Sequence, residues 1–129
     1  MKKLKCKLSP LAMAQIEAYY TYNLLTFGEK KADFIQDSIF DVIESLQSFP
    51  GLGHVEPSLT DYPQCFRTFV QHANLKILYW VEDHIVKIAL IFDTRQSPDK
   101  LRYIIEHHSS WVCEDVAVPY EKKKTSPRK

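Results

Sequence analysis

The run of residues 85–92 constrains the fold more than any other part of the sequence. Seven of its eight residues are apolar, and Lys87 is the one charged residue among them. A strand with this composition is covered by other elements on both faces or lies centrally in its sheet. The run therefore predicts the middle strand of a sheet, with layers of structure on both sides.

Two more strand-like runs, residues 64–71 and 75–81, come shortly before it and are rich in β-branched and aromatic residues. The turn-forming residues Ala73-Asn74 and Glu82-Asp83-His84 separate the three runs. Strands joined by such short turns pair with their neighbours in sequence. The three runs predict an antiparallel meander.

The N-terminal part predicts a strand followed by a helix. Lysines alternate with apolar residues over residues 3–8, which is the period of a strand with one wet and one buried face. Ser9 and Pro10 follow, and a serine N-cap with proline at the first helical position is a strong signal for the start of a helix. Gly28 can take the left-handed conformation that ends a helix. The first helix is expected over Pro10–Phe27.

A second helix is expected over Glu29–Ser48, since apolar residues recur there at spacings of three and four while acidic residues occupy the other positions. The apolar positions are Ala32, Ile35, Ile39, Val42, Ile43 and Leu46. Because only Gly28 separates the two helices, they should form a hairpin.

The remaining segments complete one domain. Proline and glycine at Pro50, Gly51 and Gly53 predict an irregular loop from Phe49 to about Pro63. Residues 99–108 can form a short helix, and the end of the chain has the composition of a flexible tail. The prediction is an α+β fold in the order β-α-α-β-β-β, with the helix hairpin packed on a small, mainly antiparallel sheet. Its domain spans residues 1–108, and a C-terminal extension with a flexible end spans 109–129.

Charge and cysteine content exclude some classes of function. The chain has 17 basic and 16 acidic residues, but the last eleven residues hold five of the basic ones and one acidic one. The body is therefore slightly acidic, whereas proteins that grip nucleic acid by its phosphates carry a basic surface. Three widely spaced cysteines predict neither disulfides nor a zinc site, and no metal or cofactor is expected. No apolar run is long enough to span a membrane, so the cytoplasm is the expected location.

Five motifs, in this order and spacing over about residues 4–101, resemble those of the RelE/ParE family of toxins from type II toxin–antitoxin (plasmid stabilisation) systems of bacteria. The motifs are Leu8-Ser9-Pro10-Leu11-Ala12, Phe49-Pro50-Gly51-Leu52-Gly53, Phe66-Arg67, Ile77-Leu78-Tyr79-Trp80-Val81 and Phe92-Asp93-Thr94-Arg95-Gln96-Ser97-Pro98. The last of these five motifs is the most specific.

The resemblance implies a growth-inhibiting toxin that forms a hetero-oligomer with a cognate antitoxin, whose extended or helical segment covers the concave sheet face beside the helix hairpin. RelE-like members of the family cut messenger RNA in the ribosome, and ParE-like members inhibit DNA gyrase. A third alternative is a degenerate member that binds its antitoxin without being toxic.

Ribonuclease chemistry needs cations that stabilise the scissile phosphate and a group that transfers protons. The candidates are Arg67, Lys76 and Arg95, with Tyr103 as a proton carrier. Arg67 and Lys76 are expected on one sheet face, although either can be an ordinary strand charge. RelE-like nucleases usually carry an acid/base group a few residues after the arginine matched by Arg95, where this chain has Leu101. That departure favours the ParE-like alternative.

A second, overlapping set of residues is expected to bind an antitoxin or target, with aromatic side chains as anchors and charged ones as polar contacts. Asp93 lies two residues before Arg95, so the two side chains can form an ion pair. For each aromatic residue alone, a place in the core is the simpler interpretation. The set comprises Arg67, Phe69, Trp80, Asp93 and Arg95.

Overall fold

The computed structural model describes residues 3–71 and 75–113. Within these ranges the chain forms three helices and a five-stranded sheet. The elements are β1 (Lys5–Leu8), α1 (Pro10–Phe27), α2 (Glu29–Ser48), β2 (His54–Val55), β3 (Arg67–Gln71), β4 (Leu75–Glu82), β5 (Ile85–Asp93) and α3 (Pro98–His107), with a 3-10 turn over Pro57–Leu59.

The sheet has the order β1-β5-β4-β3-β2, in which β1 and β5 run parallel and the other neighbours run antiparallel. The predicted α+β class, helix hairpin and meander are confirmed. The apolar run forms β5, which is an interior strand but not the middle one. That position belongs to β4, because the short β2 adds a strand that the sequence did not reveal.

The hairpin begins and ends where the sequence predicts. The Ser9 hydroxyl accepts a hydrogen bond from the Ala12 amide at 2.9 Å and donates one to the Ala89 carbonyl at 2.6 Å. It therefore caps α1 and ties the start of the helix to β5. Gly28 has a φ of 93°, which a side chain would make unfavourable, and its amide donates to Leu24 at the end of α1.

The turn between β4 and β5 is as tight as a hairpin permits. Asp83 and His84 both have positive φ, at 54° and 61°. Two consecutive left-handed residues form the turn whose twist matches that of the adjoining strands. The segment of residues 72–74, where the other turn of the meander was predicted, lies outside the described residues.

Each face of the sheet packs against its own hydrophobic core. The hairpin face, covered by α1 and α2, buries Ile16, Ile39, Ile43 and Leu46 of the helices against Ile77, Tyr79, Val86, Ile88 and Ile91 of the strands. The α3 face buries Leu59, Phe66, Leu101, Ile105, Trp111 and Cys113 against Leu78, Trp80, Leu90 and Phe92. β5 contributes to both cores, which explains its apolar sequence.

Two segments differ from expectation or extend beyond it. The predicted irregular loop 49–63 contains β2, which pairs with the first two residues of β3, and the 3-10 turn. Too few residues are involved to give a pattern in sequence. The core also continues past residue 108, because Trp111 is buried and its indole N–H donates to the Ile105 carbonyl at 2.9 Å. The flexible end predicted from Glu121 onward lies outside the described residues.

Candidate functional site

Arg67 and Lys76 project from opposite faces of the sheet, which overturns the prediction that they share one. Arg67 is paired with Tyr79 across the β3–β4 ladder, so both lie on the hairpin face. Lys76 pairs with Val70 and lies on the α3 face, where its ammonium is 5.9 Å from the centre of the Phe92 ring. The two strands run antiparallel with directly opposed residues, and therefore odd positions of both strands share a face.

Lys76 is held by a buried carboxylate. Its Nζ lies 3.3 Å from Oε1 of Glu56, and the other carboxylate oxygen, Oε2, accepts a hydrogen bond from the Ser58 hydroxyl at 2.7 Å. Burial alone would raise the pKa of Glu56, but the hydrogen bonds from Ser58 and the charge of Lys76 outweigh it and hold the pKa below its usual value. Lys76 therefore forms a structural ion pair with Glu56.

Arg67 and Tyr79 form hydrogen bonds to the loop that follows α2 and hold it against the sheet. The Arg67 guanidinium donates to the Gly53 carbonyl, and the Tyr79 hydroxyl donates to Pro50 at 2.7 Å while accepting from the Gly53 amide at 2.9 Å. Burial raises the pKa of Tyr79, so its hydroxyl keeps the proton that it donates. We call residues 50–59 the edge loop, because they lie along the β3 edge and close one end of the hairpin face.

Asp93 and Arg95 form the predicted ion pair at the other end of the sheet. Two guanidinium nitrogens of Arg95 lie 3.0 and 2.7 Å from the two carboxylate oxygens of Asp93, and the Arg95 amide donates to the same carboxylate. These hydrogen bonds lower the pKa of Asp93 to about 2. The pair is open to solvent, so it presents one fixed cation and one fixed anion at the surface.

Tyr103 and Trp80 lie away from both the edge loop and the ion pair of Asp93 and Arg95. Tyr103 is exposed on α3, where its ring stacks on His107 with the centroids 4.1 Å apart. Trp80 is only 3% exposed and packs edge to face with Phe66 and Trp111 in the core of the α3 face. Trp80 is therefore chiefly a core residue of the α3 face, and it also lines a cavity with Val81 and Glu82. The residues named for catalysis do not converge on one point.

A groove opens where the hairpin extends past the sheet, and we call it the end groove. It encloses about 410 Å³, and the ion pair of Asp93 and Arg95 lines a second cavity of about 420 Å³ that continues from it. Arg95, Tyr19 and Leu75 line both cavities. The other walls of the end groove are Tyr22, Asn23, Phe27, Lys31, Phe34, Ile35, Ile39 and Gln71.

The rim of the end groove is apolar and unusually exposed. Phe34 has 65% of its surface open to solvent, and Phe27 and Tyr22 are more than half exposed. Lys31 lies over the Phe27 ring, 5.1 Å from its centre. Single exposed apolar residues are ordinary, but a contiguous aromatic patch with a concave floor is typical of a binding surface.

Two buried amide atoms at this groove have no hydrogen-bond partner among the described residues. They are Nδ2 of Asn23 on α1 and Oε1 of Gln71 at the end of β3. Both side chains belong to residues that are more than nine-tenths buried. Unpartnered buried polar atoms are rare in folded proteins, so these two need an explanation.

The sequence indicated Arg95, Asp93 and the exposed side of the hairpin as parts of a binding surface, but not which hairpin residues form the wall of this groove. Phe27 and Phe34 flank Gly28 at the tip of the hairpin, beyond the reach of the sheet. A helix pattern predicts which residues face inward, but not how far the partner layer extends beneath them. Asn23 offered the one usable signal, since it interrupts the apolar stripe of α1.

Comparison with known proteins supports the fold. Among solved structures, the chain is similar to one from "Chromosomal ParDE TA system from P. aeruginosa", with a TM-score of 0.59 and 21% identity. The match covers 70% of this chain and 96% of that one. The predicted RelE/ParE-like fold is confirmed. No protein-family model and no curated protein matches the chain. None of the helices in the described ranges is both long and apolar enough to cross a membrane.

Proposed function

We propose that this chain is the toxin of a toxin–antitoxin pair and that a segment of its antitoxin occupies the end groove. The observation that carries the proposal is the aromatic groove at the tip of the hairpin, in a chain whose fold is similar to that of a ParDE system chain. A partner segment that covers Phe27 and Phe34 would remove the exposed patch from water. Burying one such aromatic side chain contributes roughly 1.5–3 kcal/mol.

The groove also offers charged contacts to a partner. Lys31 lies at its apolar rim, Arg95 lies on the opposite wall, and Asp93, the ion-pair partner of Arg95, lines the adjoining cavity. Exposed charges at the edge of an apolar centre select and orient a partner more than they add affinity. Asp93 and Arg95 therefore keep the binding role that the sequence suggested. Phe69 is half-buried against the core of the hairpin face, so we assign it to the support of the groove.

We favour gyrase inhibition over messenger RNA cleavage as the toxic activity. A nuclease must bring several cationic groups to one phosphate. Lys76 is instead paired with Glu56 on the far face of the sheet, and Arg67 is bound to the edge loop. Arg95 is the last of the three candidate cations; Asp93 is bound to its guanidinium, and the sequence has no proton-transfer group matched to it.

The first test is growth arrest and its relief. The chain is expressed from an inducible promoter with and without the small gene beside its own, and colonies are counted. We expect arrest that the neighbour relieves. Normal growth of cells that contain the folded chain would contradict toxicity and would favour a member that only binds its antitoxin.

The second test places the antitoxin in the end groove. Phe34→Ala and Phe27→Ala should leave the chain folded and weaken antitoxin binding at least tenfold, measured by calorimetry. Met13→Ala is the matched control, because Met13 is an exposed apolar residue on α1 that does not line the groove. Equal affinity for all three variants would exclude the groove as the antitoxin site.

The third test separates the targets. A gyrase inhibitor should cause DNA breaks and filamentation during arrest and should inhibit purified gyrase in a supercoiling assay. A ribosome-dependent nuclease should leave DNA intact and cut messenger RNA on translating ribosomes, and Arg95→Ala should abolish that cleavage. Intact DNA together with cleaved messenger RNA would overturn the preference for gyrase.

A further inference from the structure

Strand β5 has an open edge beyond the end of β1. β1 pairs with β5 only as far as Leu8 and Ile88, whereas β5 continues to Asp93. The last part of β5 therefore has a neighbouring strand, β4, on one side only. An edge of this kind presents backbone N–H and C=O groups at which another chain can add a strand.

Side chains at the start of α1 bind some of these edge groups. The Ser9 hydroxyl donates to the Ala89 carbonyl at 2.6 Å, and the Ile91 amide donates to Oε1 of Gln15 at 2.9 Å. The Gln15 side chain thus takes the place that a carbonyl group of a neighbouring strand would have.

Two backbone groups on this edge remain open. The N–H and C=O groups of alternate residues in a strand point to the same side, so the Ile91 carbonyl and the Asp93 amide face the same edge as the Ile91 amide. Neither has a hydrogen-bond partner among residues 3–71 and 75–113. The Asp93 carbonyl is not open, because it accepts from the Gln96 amide at 3.0 Å in the turn that follows.

The open groups determine the direction of an added strand. In a parallel pair, one residue donates to a carbonyl and accepts from the amide two residues further along the neighbouring strand, whereas in an antiparallel pair it exchanges both bonds with one residue. The Ile91 carbonyl and the Asp93 amide are a parallel set. The antiparallel sets are blocked, since Gln15 binds the Ile91 amide and Gln96 binds the Asp93 carbonyl. An added strand should therefore run parallel to β5, as β1 does.

The second cavity lies beside these open groups. It encloses about 420 Å³ between α1 and the end of β5, and it continues into the end groove. Successive residues of a strand point to opposite faces, and Phe92 belongs to the core of the α3 face. A residue that pairs with Phe92 would therefore place its two neighbours on the hairpin face, beside Ala18 and Tyr19, where small apolar side chains fit.

We infer that an extended segment of the antitoxin adds to β5 as a short parallel strand beyond β1. One of its residues donates to the Ile91 carbonyl and accepts from the Asp93 amide, and the side chains on either side of that residue enter the second cavity. The inference rests on the proposed function for the identity of the segment. The strand addition itself depends only on the open edge of β5.

A capped hexapeptide of alternating threonine and valine tests the strand addition on the full-length chain, with backbone amide NMR resonances as the measurement. We expect binding that moves the Asp93 amide resonance downfield and slows its hydrogen exchange, because this amide gains an acceptor. With the valines in the cavity, the threonine N–H groups face β5. A hexapeptide N-methylated at its threonines should therefore bind at least tenfold more weakly than one N-methylated at its valines.

Two exposed alanines of α1 give matched variants of the protein. Ala18 lines the second cavity, and Ala14, about one turn earlier, does not. Ala18→Trp should fill the cavity and weaken binding of the unmethylated hexapeptide at least tenfold, whereas Ala14→Trp should leave it unchanged. In the complex with the antitoxin, exchange of the Asp93 amide should be slowed as it is by the hexapeptide.

The direction of the strand is tested with a nitroxide label on the N-terminus of the hexapeptide. A parallel strand has its N-terminus near Ala89, so the label should broaden the amide resonances of Ala12 and Met13 more than that of Arg95. The reverse order would identify an antiparallel strand and would overturn the inference.

Other results would also overturn it. Equal affinity of the two methylated hexapeptides, or no binding of the unmethylated one, would exclude backbone pairing at this edge. Slow exchange of the Asp93 amide in the isolated chain would show that the edge is already closed. An antitoxin that binds without slowing this exchange would exclude the antitoxin as the added strand. The hexapeptide measurements do not depend on toxicity, so failure of the inference is distinguishable from failure of the proposed function.

Discussion

The two ends of strand β3 differ in whether the buried polar groups beside them have hydrogen-bond partners. At Arg67 and Thr68 the strand is flanked by the edge loop, whose polar groups are paired with Arg67, Tyr79 and Lys76. At Gln71, four residues on and roughly 13 Å away at 3.3 Å per residue, a buried amide oxygen is left without a partner among the described residues. We call the Arg67 end the closed end, because its polar groups are paired, and the Gln71 end the open end, because its amide oxygen is not.

The difference shows where polar groups serve the fold and where they serve a partner. A fully paired buried network fixes one arrangement of the chain, whereas an unpaired group raises the free energy of the isolated protein and is relieved on binding. The aromatic rim of Tyr22, Phe27 and Phe34 lies at the open end, beside the unpaired amide oxygen of Gln71. Substitutions at the closed end should therefore change stability, and those at the open end should change binding.

The largest loss of stability is expected from Glu56→Ala. It leaves Lys76 without its anion and removes the acceptor for Ser58 and Thr68. Breaking a buried ion pair from one side costs about 3 kcal/mol or more. Urea unfolding measures the change, and Glu56→Gln is the control because it keeps the shape and part of the hydrogen bonding. A loss below that of ordinary surface substitutions would show that the edge loop does not depend on this carboxylate.

Glu56 also gives the closed end a pH dependence. Its pKa is lowered in the folded chain, so the folded state binds its proton less readily than the unfolded state does. The stabilising effect is complete above the unfolded value of about 4.3 and is lost as the pH falls through the lower folded pKa. Between these two pKa values, the free energy of unfolding should fall less steeply with decreasing pH in Glu56→Gln than in the wild type. Identical pH profiles would rule out this contribution.

A smaller loss is expected from Gly53→Ala. A β-carbon on Gly53 would lie 2.5 Å from the Thr68 carbonyl oxygen and 2.7 Å from the Tyr79 hydroxyl. Both are fixed in the sheet, so the edge loop must shift, which costs about 2 kcal/mol by analogy with overpacked cores. Gly51→Ala is the matched control, because a β-carbon there meets nothing within 4 Å. Equal midpoints in thermal unfolding would contradict the close approach.

Tyr79→Phe should lower the free energy of unfolding by less than Gly53→Ala does. The ring stays in the core, but the Gly53 amide and the Pro50 carbonyl lose their shared partner. Leaving such groups unpaired costs about 1 kcal/mol when water can reach part of the loop. Tyr22→Phe, on the rim of the end groove, should leave stability unchanged. If both substitutions had the same effect on the urea midpoint, the contrast between the two ends of β3 would fail.

The fold could be predicted from sequence where a local signal determined a boundary. Ser9 with Pro10 and the single Gly28 fixed both ends of α1, because caps act through adjacent backbone groups. β2 could not be predicted, since two residues carry no period and its pairing with β3 is a long-range contact. The position of β5 beside the centre instead of at it followed from that missing strand.

The candidate site could be predicted only in part, for a related reason. The ion pair of Asp93 and Arg95 is encoded two residues apart. The placement of Arg67 and Lys76 depends on the register between β3 and β4, and a shift of one residue moves a side chain to the other face. Asn23 and Gln71 are 48 positions apart in sequence. Only the packing of the hairpin on the sheet reveals that they line one groove.

The smallest expected change in stability has the opposite sign. Gln71→Met replaces an unpartnered buried amide with an apolar chain of similar shape, and it should raise the free energy of unfolding by about 0.5 kcal/mol, a fraction of the penalty for an orphaned polar group. Urea unfolding of this variant beside Gln71→Glu, which places a charge at the same position and should destabilise, gives the measurement. A clear loss of stability in Gln71→Met would mean that the amide already has a partner in the isolated chain, and the open end would then be as closed as the edge loop.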